Sequence, residues 1–254
     1  LDLDNTNGLI YNTENFALLA YHNINILVGC KILRTLISIL TILFLTASCK
    51  TRTDKIIYLN AKFDTLPLPI DSATFYFKTK LNWQDTTIDA VDSFLNSWYS
   101  KMLFALQEPV LKNYNGDKEI YRFTWLRTFN HPVSVRLEKQ GNIVKLFSKV
   151  CDGAGGYEPG KIIFDTTIIL TEKQIGTTIF KLDNANFWTL QTEAREDNGK
   201  DGSEWIIEVF KSNKYHMVVR WTPEKGTAFR TIGEYLISIS HIQNEMTGRD
   251  HGDY

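Results

Sequence analysis

Ile120-Tyr-Arg-Phe-Thr-Trp-Leu-Arg-Thr128 alternates along its length, with Tyr121, Phe123 and Trp125 on one face. Val133, Val135 and Leu137 alternate with Ser134, Arg136 and Glu138, and Ile143 to Val150 returns across Gln140-Gly141-Asn142. A period of two is the mark of a half-buried strand, and a Gly-centred pair between two such runs is hairpin chemistry. These runs therefore predict antiparallel strands joined by tight turns. A loop at 152–160 and a further strand from Lys161 to Leu170 follow.

The flanking segments change period. Thr171-Glu-Lys-Gln174 matches a capping box, and Ile175, Ile179 and Leu182 supply the apolar face of the helix that it opens. Phe187-Trp188 is expected to close that helix against the sheet. Trp205 to Phe210 and Tyr215 to Trp221 predict a second hairpin across Ser212-Asn213. A last helix is predicted over about 227–242, with Phe229, Ile232, Leu236 and Ile239 on one side. Upstream, Ile88, Val91, Leu95, Trp98 and Met102 recur at three and four, so a helix is predicted over about 88–106. Asp85, Thr86 and Thr87 supply its start, and Phe94, Trp98, Tyr99 and Phe104 are read as core packing. The order is helix, four strands, helix, two strands, helix. Hairpin links make this α+β: a mainly antiparallel sheet of about six strands with three helices packed on it.

Composition bounds the function classes. The chain has 254 residues, 43% hydrophobic, with 28 Lys+Arg against 29 Asp+Glu. A near-neutral balance argues against a general nucleic-acid binder, and three cysteines argue against a disulfide scaffold.

The densest apolar run lies before the domain. Lys31 and Arg34 form a positive head, Thr35 to Leu45 carries no charge, and Thr46-Ala47-Ser48 leads to Cys49. This order is that of a secretory signal, and it resembles a bacterial lipoprotein signal cleaved by signal peptidase II. The resemblance implies cleavage before Cys49 and a lipid on that residue. It departs from the family's preference at Thr46, where Leu is usual, with Leu45 one place further back. Thr35 to Ser48 is short for a membrane-spanning helix, which needs about 20 residues. On this reading, 1–30 is a segment upstream of the true start, 31–48 the signal, 49–55 a tether, 56–246 one domain and 247–254 a frayed tail. Loss of 1–48 removes Asp2, Asp4, Glu14, Lys31 and Arg34, leaving 206 residues with no net charge. Cys151 is then expected to be a lone buried thiol.

The remaining motifs are weak. The loop Asp152-Gly-Ala-Gly-Gly-Tyr-Glu-Pro-Gly160 joins two strands, unlike a phosphate-binding loop, which opens a helix. Its glycines are expected to take positive φ, and its Tyr157 is a candidate ligand contact. Asp197 to Glu208 resembles a calcium loop but has Gly199 at the third place and a strand where a helix is needed. No pair of His or Cys has metal-ligand spacing, so no metal or cofactor is expected. Arg127, His131, Asp201, Glu204, His216 and Arg220 would make an acid/base pair with an anion clamp if they converged.

The strings Phe123 to Pro132, Gly153 to Gly160, Asp201 to Trp205 and Arg220 to Pro223 together resemble an uncharacterised bacterial lipoprotein family, over about 119–240. That resemblance implies an envelope setting and no activity. The expected function is a non-catalytic binding or interaction module, lipid-anchored to the membrane through Cys49, with a protein or small ligand as partner and no nucleic acid. The alternatives are a hydrolase-like envelope enzyme using the cluster above, or an immunity or inhibitor protein.

Overall fold

The computed structural model describes residues 58–59, 66, 68–69, 71–81, 85, 87–194 and 201–242. Six long strands carry the expected antiparallel arrangement: β4 (Glu119–Arg127), β5 (Val133–Gln140), β6 (Ile143–Cys151), β7 (Ile162–Ile169), β8 (Ser203–Lys211) and β9 (Lys214–Trp221). A two-residue strand, β1 (Tyr58–Leu59), extends the sheet, whose order is β1-β7-β6-β5-β4-β8-β9. Three helices accompany it among the described residues: α1 (Ser93–Ala105), α2 (Glu172–Asn184) and α3 (Ala228–Ser240). The chain is α+β, as its periodicity predicts.

The local chemistry of each boundary is visible. Thr171 accepts from the Gln174 amide, while the Gln174 side chain accepts from the Thr171 amide, closing the capping box of α2. Thr227 caps α3. Gly141 turns the β5–β6 hairpin with φ 57°, and Ser212 and Asn213 turn the β8–β9 hairpin with φ 52° and 59°.

One expected helix start is corrected. Helix α1 begins at Ser93, capped by Asp92, whose carboxylate accepts the Phe94 amide at 2.8 Å. Residues Ala90–Val91 form strand β3, which pairs in parallel with β2 (Lys78–Thr79), a pair the periodicity did not suggest. Asp89 takes φ 61°, which breaks any helix running from Ile88, and Ile88 is left exposed.

The sheet is covered on both faces. On one, Tyr121, Phe123, Trp125, Val133, Val135, Leu137, Trp205, Ile207 and Val218 pack against Ile175 and Leu182 of α2 and Phe229, Ile232 and Leu236 of α3. On the other, Leu126, Ile206, Met217 and Val219 pack against Tyr99, Met102 and Leu103 of α1 with Tyr76 and Phe77. The second face also carries charge. Arg122, Arg136 and Glu208 are fully buried there, brought side by side by the pairing of Arg122 with Arg136 on β5 and with Glu208 on β8.

Candidate functional site

The structure divides the candidate acid/base residues between two places. Arg127 ends β4 and is fully buried, its guanidinium 4.3 Å from the centre of the Trp125 ring. It donates to the His131 carbonyl at 2.9 Å, and His131 Nδ1 lies 2.9 Å from the Gly153 carbonyl oxygen. Tyr157 projects from the same corner. Asp201 lies close by, because the amide and hydroxyl of Thr128 both donate to the Gly202 carbonyl at 2.9 Å. Glu204 is buried on β8, opposite Leu126 and Trp221 in register.

His216 and Arg220 belong to edge strand β9 instead. His216 is buried, with Nδ1 2.6 Å from Asp89 Oδ1 and Nε2 3.0 Å from the Leu190 carbonyl. Its ring sits between Phe187 and Trp188, at centroid distances of 5.1 and 6.0 Å. Both ring nitrogens are engaged, so the pair with Asp89 lacks the open nitrogen a general base presents to substrate. Arg220 donates to the carbonyls of Gln191, Thr192 and Val219 and lies over the Phe229 ring. These groups tie segment 190–193 along the outer edge of β9, where the Val219 amide donates to Thr192 at 2.7 Å. Asp89 could not be singled out from sequence, since it sits inside an apparent helical run. Cys49 and the calcium-like stretch up to Lys200 lie outside the described residues.

The corner holding Arg127, His131 and Tyr157 is the built surface of the molecule. Loop 152–161 is hydrogen-bonded within itself: Asp152 to Lys161, Gly153 to Pro159, Ala154 to Glu158 and Tyr157 to Ala154. Its tip is also bonded to the turn between β4 and β5, from the Gly155 amide to Asn130 at 2.8 Å and from the Gly156 amide to Thr128 at 3.1 Å. The expected reason for its glycines is corrected by this geometry. Of the four, Gly160 alone has positive φ. Gly155 and Gly156 are needed because a Cβ there would stand 2.6 Å from the Arg127 amide nitrogen and 2.8 Å from the Thr128 carbonyl oxygen.

Four aromatic side chains line this corner. Tyr157 (59% exposed) lies near-parallel to Phe129 (58% exposed), with centroids 6.0 Å apart. Trp98 of α1 is half-buried and donates from its indole nitrogen to the Gly155 carbonyl at 2.8 Å. Phe94, one turn earlier on the same side of α1, is 73% exposed. Lys101 pairs with Glu158 at 2.5 Å beside them. The expectation that Phe94 is a core residue is thus corrected, whereas Trp98 packs against the core cluster of Tyr99, Met102 and Leu103 as expected. The buried face of α1 includes the polar Asn96 and Ser100 beside Tyr99, Met102 and Leu103, while Phe94 is exposed, so the apolar period alone did not select the inward face. Trp188, also expected in the packing, is 40% exposed.

The densest group of charges is enclosed rather than exposed. Glu108, just past α1, places Oε2 2.7 Å from Arg136 and 3.6 Å from Arg122, and Oε1 3.3 Å from Lys149. Burial pushes its carboxyl up, but Arg136, Lys149 and Arg122 outweigh burial and hold it at about 2. Glu208 bonds Arg122 at 2.5 Å and accepts from Tyr215 at 3.0 Å. Burial dominates there and raises it, since one arginine faces it and Glu108 repels it. Glu138 completes the set with Arg136 and with Lys118 at 2.6 Å.

Other openings offer less chemistry. A groove of about 580 Å³ is lined by Leu66, Leu68, Phe75, Val110, Lys112 and Tyr114, none of them a predicted site residue. Among the described residues no three His, Cys, Asp or Glu side chains are placed to hold a metal ion. No helix of the described residues is long and apolar enough to cross a membrane. Set beside known proteins, the chain matches no family model, no curated protein and no solved structure.

Proposed function

We propose that the chain is a lipid-anchored cell-envelope protein whose domain is a non-catalytic binding module, and that it makes contact through the aromatic strip of Phe94, Trp98, Tyr157 and Phe129. The anchor rests on the signal-like order of residues 31–49 ending at Cys49. The observation that carries the binding role is the pair of exposed rings Tyr157 and Phe129, displayed by a loop and a turn whose backbones are bonded to each other, with Trp98 bonded to the same loop. Exposed rings grouped together form a candidate contact patch, and a pre-ordered surface loses little entropy on binding. The acid/base residues favour binding over catalysis, because each of His131 and His216 is tied to a backbone carbonyl and the two lie on different parts of the sheet.

Two measurements test this reading. Replacing Cys49 by Ser and fractionating the cells should release the protein from membranes; unchanged association and processing would remove the anchor. Replacing Tyr157 by photoreactive benzoylphenylalanine in intact cells should give a discrete adduct that Phe129→Ala abolishes. The same group at Phe180, an exposed ring of α2, should give none. Equal adducts at both positions, or none at Tyr157, would refute the contact surface.

A further inference from the structure

We propose that the aromatic strip takes a neutral oligosaccharide, a few pyranose units running from Phe94 across Trp98 and Tyr157 to Phe129. The inference rests on the binding-module reading and names its ligand class.

Three observations favour a sugar over a protein or a nucleic acid. The first is area. With about 200 Å² for a whole aromatic side chain, the three exposed rings Phe94, Tyr157 and Phe129 offer roughly 400 Å². A standard protein interface takes about 800 Å² from each partner. The strip is therefore narrow for a folded partner and ample for a short glycan. The second is charge. Lys101 and Glu158 neutralise each other beside the rings, so the strip has no cation excess to follow a phosphate backbone. The third is the mixture of groups. A pyranose presents apolar C–H bonds on its faces and hydroxyls around its edge. The C–H faces suit the outward, electron-rich faces of the Phe129–Tyr157 pair. The hydroxyls both donate and accept, and Glu158, Lys101 and the Tyr157 hydroxyl provide partners of each kind. The rings are also pre-set, because Gly155 joins the Trp98 indole to the loop that carries Tyr157.

The full chain is titrated with chitohexaose, cellohexaose and maltohexaose by calorimetry, with tryptophan fluorescence as a second readout. Saturable binding of at least one hexasaccharide is expected. Tyr157→Ala and Phe129→Ala should each weaken it about tenfold. Both side chains are exposed, so the thermal midpoint should stay unchanged, which separates a lost contact from a lost fold. Failure of all three sugars to bind, or binding indifferent to both substitutions, overturns the glycan. If none binds while Tyr157 cross-links to a protein, the glycan is overturned and the binding module stands. If none binds and no cross-link forms, both are overturned.

Discussion

Replacing Glu108 by Gln keeps the shape of a fully buried side chain and removes the charge that Arg136, Lys149 and Arg122 surround. Breaking a buried ion pair from one side costs about 3–5 kcal/mol, because the remaining charges stay in low dielectric without compensation. The carboxyl gives a second route to the magnitude. It is held at about 2 in the folded protein against an ordinary value of 4.5, and at about 1.4 kcal/mol per unit that difference is worth about 3 kcal/mol. A depressed carboxylate contributes stability that is complete above its unfolded value and is lost as pH falls towards its folded value. The deficit of Glu108→Gln should therefore be full at pH 7, roughly halved by pH 3 and close to zero near pH 2. Urea unfolding reads it directly. With a slope of about 2 kcal/mol per molar, the midpoint at pH 7 should fall by about 1.5–2 M. Glu208→Gln is the internal control. The Glu208 carboxyl is raised, so its ionised form is disfavoured by folding and its contribution is lost as pH rises. Its deficit should be smaller at pH 7 and should not shrink in acid. A Glu108→Gln protein as stable as the parent at pH 7, or a deficit independent of pH, would refute the assignment of Glu108 as the ionised centre of the cluster.

Two further changes test other parts of the structure. Gly155→Ala places a methyl group against the backbone at Arg127, where neither side can yield, and should cost about 2–4 kcal/mol and weaken any binding at Tyr157; Gly141→Ala, in open space at φ 57°, should cost only about 1 kcal/mol. A thermal melt of both variants decides, and equal losses would contradict the close approach at Gly155. Burial pushes the Cys151 thiol up to about 12, so peptide-resolved iodoacetamide labelling should leave it unmodified in the native protein at pH 8 and modify it after unfolding; labelling in the native state would show that β6 is not sealed there.

The strands and hairpins were legible because alternation and turn chemistry are local. Tyr121, Phe123 and Trp125 declare a buried face within five residues, and Ser212-Asn213 declares its turn within two. The capping box at Thr171 is equally local. What escaped is what depends on distant partners. The residues between those aromatics, Arg122 and Thr124, have the polarity of a solvated face, yet both are fully buried. Arg122 is covered by Glu108, the Pro109 carbonyl and the Tyr76 ring, and its partner Glu208 lies 86 residues beyond it. The candidate site was half legible for the same reason. The glycine loop with Tyr157 stands out in the sequence. Phe129 meets Tyr157, and Trp98 meets Gly155 of the same loop, only once the loop, the β4–β5 turn and α1 are assembled. His216 shows the converse. Its chemistry suggested a base, while its Asp89 partner, 127 residues away, and the Leu190 carbonyl make it a clamp on the edge of β9.

The two unusual features of the molecule, a charged layer sealed inside and aromatic rings left outside, meet in helix α1. A helix held on a sheet by apolar area alone tolerates a slide by one turn. Helix α1 is held by polar contacts as well, since its buried face carries Asn96, bonded to the Phe77 amide and carbonyl, and Ser100, which accepts from the Tyr76 amide. Glu108 adds a restraint at the C-terminal end, because its carboxylate reaches Arg122, Arg136 and Lys149 on three adjacent strands. Its carbonyl is fixed as well, by the Tyr76 hydroxyl at 2.7 Å, and the neighbouring Gln107 carbonyl accepts from Lys149 at 2.7 Å. With its C-terminal end held in this way, α1 has one register along the sheet. That register sets Trp98 opposite Gly155 and Lys101 opposite Glu158. The buried charges cost desolvation that a dry interface would avoid. What they return is position: they decide which aromatic side chains of α1 face the glycine loop and which face the core.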